Sequence, residues 1–226
     1  MGTLSEEASK ALLAPFGVPF LDERTVPDAA AAVAAASELG MPVVLKLNGD
    51  AIAHKTERGL VKLNLGSAEA VEAAANALLA AATPADGDVS LLVAPMIASN
   101  REFICGASTD EQFGPTVLLG VGGILAEAIA DVSIRLAPIN RIDAEEMIEQ
   151  LQTQDLLGAF RGEDAIDRTG LIDTLMALSA AITENAEVAS IDLNPVLIHH
   201  GAPIAVDALV EVHDSDQTAT ASEVSA

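Results

Sequence analysis

The 226-residue chain contains no tryptophan and no tyrosine, and its aromatic content is five phenylalanines. Stacking nucleic-acid bases on aromatic platforms is therefore nearly closed to it. It has one cysteine, Cys105, so no internal disulfide can form, and a reducing, cytoplasmic setting is expected. Basic residues are scarce, 11 Lys and Arg against 34 Asp and Glu, for a formal net charge of −23. That balance argues against duplex nucleic acid and against an anionic membrane surface, both of which need a basic face. It leaves nucleotides open, because a local basic pocket with a divalent metal can hold a triphosphate in an acidic protein. The apolar runs are broken by Glu, Asp, Pro or Gly well short of the ~20 residues of a membrane span. The opening MGTLSEEASK has no basic region followed by an apolar stretch, so no signal peptide is expected. Neither GxxxxGK[ST] nor a GxGxxG that opens a helix after a strand is present. Any nucleotide site must be built another way.

What is present is enough apolar sequence for one large domain or two small lobes, since half the residues are hydrophobic. Ser5 is placed to cap a helix running toward Pro15, and a second helix follows Pro27-Asp28 and stops at Gly40. PVVLKLN (42–48) and VKLNL (61–65) read as strands, Ser67 opens an Ala-rich helix, and VSLLVAPMI (89–97) reads as a buried strand. REFICGAS (101–108), PTVLLG (115–120), ILAEAIA (124–130) and VSIRLAPI (132–139) read as successive strands, although the spacing of ILAEAIA also suits a helix. Asp143 with Glu146 suggests a capping box for a helix through Leu151, and a longer helix is expected from Ile166 to about Asn185. VASIDLN, PVLIHH and PIAVDALVEV follow as strands, and a polar stretch from 214 reads as a disordered tail. The expected class is α+β in two lobes, residues 1–97 and 98–213, with a tail at 214–226.

Four places invite chemistry. Lys46 sits inside an apolar strand, where an unpartnered ammonium is costly. Its head either reaches phosphate oxygens or faces solvent from an edge strand. His54, Lys55, Thr56, Glu57 and Arg58 cluster in one loop. A neutral imidazole can carry a phosphoryl group, with the cations stabilising its charge, and a plain solvated loop is the other reading. Gly120 to Gly123 put three glycines in four residues, so that backbone amides such as those of Gly122 and Gly123 can approach an anion, or simply make a tight turn. Asp192, Asn194 and Asp207 offer oxygen ligands on strands that can return beside one another, which suits Mg²⁺, and a capped turn with Asp207 hydrogen-bonded locally is the other reading. Arg135 suits either a phosphate or a carboxylate.

Taken together these segments resemble a known family. EEASKALLAPFGVPF is similar to the opening of the nucleotide-binding subunit of ADP-forming acetyl-CoA synthetases and of succinyl-CoA synthetases. VVLKLNGDAIAHKTERGLVKLNL resembles the strand, His-Lys loop and next strand of the ADP-forming acyl-CoA synthetases. REFICGASTDEQFGPTVLLGVGGILAEAIADVSIRLAPI resembles their central signature, and IDLNPVLI followed by AVDAL their metal-binding end. The resemblance runs from about residue 5 to 212 and implies an ATP-grasp fold, with ATP between two α+β lobes. Carried over, it implies that Lys46 contacts the ATP phosphates, that Ala94, Pro95, Met96 and Ile97 form the hinge beside adenine, and that Glu102 begins the second lobe near the nucleotide. It implies Asn194 and Asp207 as the Mg²⁺ ligands, His54 as the phosphate-accepting histidine and Arg135 at the phosphate end of the cleft. The family often has two glycines after the His-Lys-Thr-acidic stretch, where this chain has Gly59 followed by Leu60. The implied reaction joins a carboxylic acid to coenzyme A with ATP, giving ADP and phosphate through phosphohistidine. A CoA-binding alpha-type partner subunit is implied to complete it. Two other readings stand beside this one: an ATP-grasp module that senses nucleotide for an acyltransferase system, and a stand-alone ligase joining a carboxylate to an amine.

Overall fold

The computed structural model describes residues 1–49, 52, 55, 58–123, 126–159 and 161–213. The tail expected at 214–226 lies outside them. In chain order the elements are β1 (Gly2–Thr3), α1 (Glu6–Leu13), β2 (Arg24–Val26), α2 (Ala29–Leu39), β3 (Val43–Asn48), β4 (Val61–Leu65), α3 (Ala68–Ala81), β5 (Ser90–Pro95), β6 (Glu102–Asp110), β7 (Gly114–Val121), α4 (Ala126–Ile129), β8 (Val132–Leu136), α5 (Arg141–Gln150), α6 (Arg168–Glu184), β9 (Val188–His199), β10 (Ala202–Ala205) and β11 (Leu209–Val212). They form two compact units. One comprises Thr3–Ser9 and Leu21–Ile97, the other Met1–Gly2, Lys10–Phe20 and Ala98–Ala226.

The unit that holds residues 21–97 is a four-stranded sheet in the order β2-β5-β3-β4, its paired strands antiparallel. The caps that start its helices are those legible in the sequence. The Asp28 carboxylate accepts from the amide of Ala31 at 2.8 Å, and Ser67 Oγ accepts from that of Ala70 at 3.2 Å. Helices α2 and α3 pack Ala32, Ala36, Val71, Ala75 and Leu78 against Val43, Leu45, Leu47, Leu91 and Val93. Each of the larger side chains contributes about 1.5–3 kcal/mol by leaving water. Because strand side chains alternate, this core fixes the facing of β3: Val43, Leu45 and Leu47 look at the helices, and Val44, Lys46 and Asn48 look away.

The other unit is built on a sheet with the order β1-β11-β9-β6-β7-β8, to which β10 adds by pairing with β9. Helices α5 and α6 cover one face, over a core that includes Phe103, Cys105, Val117, Leu119, Ile191 and Leu193. Glu102, Ile104, Ser108, Leu118, Asp192 and Asn194 alternate with these and occupy the face away from the helices. So do Val132, Ile134 and Leu136, which lie exposed on the edge strand β8. Residues 10–20 belong with this unit although the sequence reading grouped them with the first 97. Leu13 and Val18 are buried, and Pro19 accepts a hydrogen bond from the amide of Ala205 at 2.9 Å. Arg101 fastens this unit internally. Its guanidinium is fully buried and donates to Glu163 Oε2 at 3.0 Å and to the carbonyls of Leu156, Gly158 and Asp164 at 3.2, 2.9 and 2.5 Å.

Several expected elements differ. ILAEAIA carries a short helix over Ala126–Ile129 instead of a strand. The capping box of α5 lies one turn earlier than Asp143/Glu146, with Asn140 as cap and Asp143 as its third residue. VASIDLN and PVLIHH form one twelve-residue strand through Pro195, while PIAVDALVEV divides into two strands around Val206-Asp207-Ala208. The strand Arg24–Val26 was not foreseen. Among the described residues no helix is long and apolar enough to cross a membrane.

Candidate functional site

Lys46 is not on an edge. Strand β3 lies between β5 and β4, and Lys46 is 7% exposed. Its ammonium is 2.6 Å from Oε1 of Glu6, in the first turn of α1. The other carboxylate oxygen, Oε2, receives the ammonium of Lys55 at 2.5 Å. Two positions along the same face, Asn48 donates to Ser90 Oγ at 3.2 Å and to Glu7 Oε2 at 3.4 Å. A lysine on an otherwise apolar strand is thus accommodated by a buried carboxylate that sequence reading did not single out.

His54 lies outside the described residues, as do its neighbours at positions 50, 51, 53, 56 and 57. The described residues around them pack into the fold. Ile52 and Leu60 are buried, and the amide of Leu60 donates to the carbonyl of Lys55 at 2.9 Å. Arg58 forms a two-toothed pair with Asp86, Nη1 to Oδ1 at 2.7 Å and Nη2 to Oδ2 at 3.0 Å. Gly59 has φ of +70°, a left-handed conformation that glycine adopts without strain. The single glycine meets the backbone requirement, and Leu60 packs in the core.

The Arg58 guanidinium beside Asp86, together with the amide and hydroxyl of Thr83, holds its carboxyl well below the usual carboxylate range. A carboxylate depressed in the folded state contributes stability above its unfolded pKa of about 4, and that contribution is lost as pH falls through the depressed value. Asp86→Asn is therefore expected to lower the melting temperature at pH 7. The gap to the parent should narrow as melts are repeated at pH values below about 4.

Of the expected hinge, Ala94 and Pro95 end β5 opposite Val44 and Val43, the amide of Met96 donates to the carbonyl of Pro42 at 2.9 Å, and Ile97 is buried. This stretch is fastened to the start of β3. Glu102 meets the glycine turn directly. The amide of Gly122 donates to the Glu102 carbonyl at 2.7 Å, and a Cβ at position 122 would sit 3.1 Å from the Glu102 carbonyl carbon. The Gly122 amide is thus engaged within the protein, where two backbones cross closely and a glycine fits without displacing its neighbour. Gly123 lies beside the Glu102 carboxylate, its Cβ position 3.8 Å from Oε2.

The pairing of β9 brings the last constellation together. β10 pairs with residues 196–199 and β11 with residues of the earlier half, Leu209 opposite Asp192 and Ala205 opposite Val196. The register is the same on both sides of the break, so Asn194 falls opposite Asp207 where the ladder opens. Pro195 has no amide hydrogen to offer there, and its carbonyl accepts from the amide of Val206 at 3.2 Å. A register shift against β6 accompanies the break. Asp192 precedes on the same face. Asn and Asp oxygens are hard donors, and Mg²⁺ takes one or two such side chains and completes its shell with phosphate and water, so these residues fit that ion. Cys105 is fully buried on the other face; burial, with a smaller contribution from the Asp192 charge, pushes its thiol up to about 12. It is a core residue.

Arg135 is not brought to this face. It alternates with Ile134 and Leu136 and faces the helix side, with Nη2 3.5 Å from Glu146 of α5. Strand alternation and this ion pair give its side chain a carboxylate partner on α5.

A model of the ATP-grasp domain family matches residues 1–212. The chain belongs to that family. It is 34% identical to the beta subunit of ADP-forming acetate–CoA ligase I of Pyrococcus furiosus over 91% of this chain and 90% of that one. It is 33% identical to the ADP-forming 4-hydroxybutyrate–CoA ligase of Nitrosopumilus maritimus, over 86% of this chain but 28% of that longer protein. Among solved structures, the dinucleotide-forming acetyl-coenzyme A synthetase 1 of Ca. Korarchaeum cryptofilum, in complex with coenzyme A, Ca-AMPCP and HgCl+, superposes with a TM-score of 0.86. That match has 34% identity and 94% coverage of both chains. A second structure of that enzyme holds Mg-AMPPCP and has its phosphohistidine segment pointing towards the nucleotide-binding site; it matches with a TM-score of 0.78 and 35% identity over 92% of both chains. Both of these relatives are ADP-forming CoA ligases, and the one matched along most of its length is a beta subunit.

Proposed function

We propose that this chain is the nucleotide-binding subunit of an ADP-forming acyl-CoA synthetase. The reaction is carboxylic acid plus CoA plus ATP to acyl-CoA, ADP and phosphate, and it is reversible. The observation that carries the reading is the break in the β9 hairpin that sets Asn194 opposite Asp207, in a chain whose relatives are ADP-forming CoA ligases. Lys46 holds the phosphates, and the 94–97 stretch borders the base. Asn194 and Asp207 would hold Mg²⁺, which when bound would supply neutralisation of the triphosphate charge. An imidazole nitrogen of His54 attacks the γ-phosphorus, an N–P bond forms as the bond to the ADP oxygen breaks, and the phosphoryl group is then passed on. A CoA-binding alpha-type partner supplies the acyl and thiol chemistry, in keeping with the subunit names of the relatives. A cytoplasmic setting completes the reading.

The test is transfer of label from Mg-[γ-³²P]ATP in the presence of a CoA-binding subunit. Acid-labile, base-stable label is expected on the parent chain and is expected to fall by at least about 1,000-fold in His54→Ala, with ATP affinity unchanged. A His54→Ala chain that still supports full turnover removes His54 from the mechanism. ATP binding without any phosphohistidine in the parent supports a nucleotide-sensing module instead.

A further inference from the structure

We propose that Glu6 is the positioning residue for Lys46, a role that rests on the reading of Lys46 as the phosphate-binding lysine. A lysine ammonium is a mobile point charge on a four-carbon stem and does not orient itself. Glu6 supplies the missing constraint. It is 1% exposed, and its two oxygens are divided between two cations, Oε1 to Lys46 at 2.6 Å and Oε2 to Lys55 at 2.5 Å. Rotation of the carboxylate toward one lysine loosens it from the other, so each ammonium fixes the orientation seen by its neighbour.

The carboxylate is itself fixed by backbone. Ser5 Oγ accepts from the amide of Ala8 at 3.3 Å and starts α1. The amide of Glu7 donates to Asn48 Oδ1 at 3.4 Å. The first turn of α1 is thereby fastened to β3 at positions 46 and 48, successive residues on the face away from α2 and α3. Lys55 adds a third point, from the stretch that leads into β4. The Lys55 ammonium on one oxygen thereby fixes Glu6 in the orientation in which its other oxygen holds Lys46. Stability alone does not call for this arrangement, since well-packed apolar side chains often replace a buried ionic group at no cost. A charge that must be held at one point for a ligand does call for it.

The test is a double-mutant cycle on Mg–ATP affinity, measured by titration calorimetry on the full chain, with melting temperatures recorded alongside. Glu6→Gln is expected to weaken Mg–ATP binding about 10-fold, as loss of a residue that orients a ligand group does. In a Lys46→Met background the same change is expected to alter affinity less than about twofold, because Glu6 acts through Lys46. An unchanged affinity in Glu6→Gln, or losses that multiply in the double variant, overturns the proposal. If Glu6→Gln does not fold, Glu6→Asp is carried through the same cycle; it keeps the charge but is one methylene too short to span both lysines. Failure of the underlying reading shows separately. A Lys46→Met chain that binds Mg–ATP as tightly as the parent removes Lys46 from the phosphates and overturns both, whereas a normal loss in Lys46→Met with no effect at Glu6 overturns the Glu6 role alone.

Discussion

Asp207→Ala is expected to weaken Mg–ATP binding by about 100-fold while leaving metal-free ATP affinity within about twofold. The register of β10 and β11 on β9 is continuous, so the residues between them do not wander. They form a short opening in which Asp207 lies opposite Asn194 by register, and Asp207 Oδ1 accepts from the amide of Ala208 at 3.0 Å. That hydrogen bond orients the carboxylate, and a carboxylate has lone pairs enough to accept it and still serve as a hard ligand. Removing the carboxylate leaves Asn194 as a neutral donor, too weak alone to hold a strongly hydrated dication. Asp207→Asn should retain the fold and lose most of the metal-dependent gain, which separates charge from packing. Equal affinities for ATP with and without Mg²⁺ in the parent would remove the metal from this opening.

The second large effect concerns stability. Arg101→Leu is expected to lower the unfolding free energy by about 3–5 kcal/mol, as breaking a buried ion pair from one side does. In a chain of this length that is roughly a 10 °C fall in melting temperature. Arg101 is fully buried and holds three carbonyls between Leu156 and Asp164 in addition to Glu163. The amide and side chain of Asn100, with the Arg101 guanidinium, keep the Glu163 carboxyl below its ordinary pKa. Leucine replaces part of the volume and none of the five donors. Arg101→Lys should fall between, because one ammonium cannot serve a carboxylate and three carbonyls at once. Thermal and urea unfolding check both variants, and an Arg101→Leu chain as stable as the parent would show that the 151–167 stretch is held by other contacts.

Much of this architecture is legible in the sequence. The caps at Ser5, Asp28 and Ser67, the apolar strands around Lys46 and Leu92 and the long helix ending near Glu184 all follow local rules that tertiary packing did not override. The differences have physical causes. Arg24–Val26 is three residues long, too short for a period to show, and exists because β5 offers it a ladder. Pro195 read as a strand end, yet the strand continues, since a ladder already opened at Asn194 needs no amide from the proline. Residues 10–20 followed the nearest elements in sequence, whereas Leu13 and Val18 are buried in the unit formed by the later segment.

The candidate site divides the same way. Asn194 and Asp207 were legible as oxygen donors, but only the shared register of two strands puts them at opposite positions of the ladder. Arg135 was legible as a cation, and strand alternation sent it to Glu146. Glu6 was hidden by company. It stands beside Glu7 at the start of a helix, where acidic residues are commonplace, and nothing local distinguishes the one that is buried against Lys46 and Lys55. The requirement for a partner was visible in Lys46, since a buried ammonium demands one; its identity needed the packing of α1 on β3.

The most direct measurement is paramagnetic broadening by Mn²⁺–ATP in the ¹⁵N-labelled full chain. The backbone signals of Asn194 and Ala208 and the side-chain amide of Asn194 are expected to broaden beyond detection at stoichiometric Mn²⁺–ATP, and to return in Asp207→Ala. Sharp signals at these positions while the nucleotide is bound would contradict metal binding by Asn194 and Asp207.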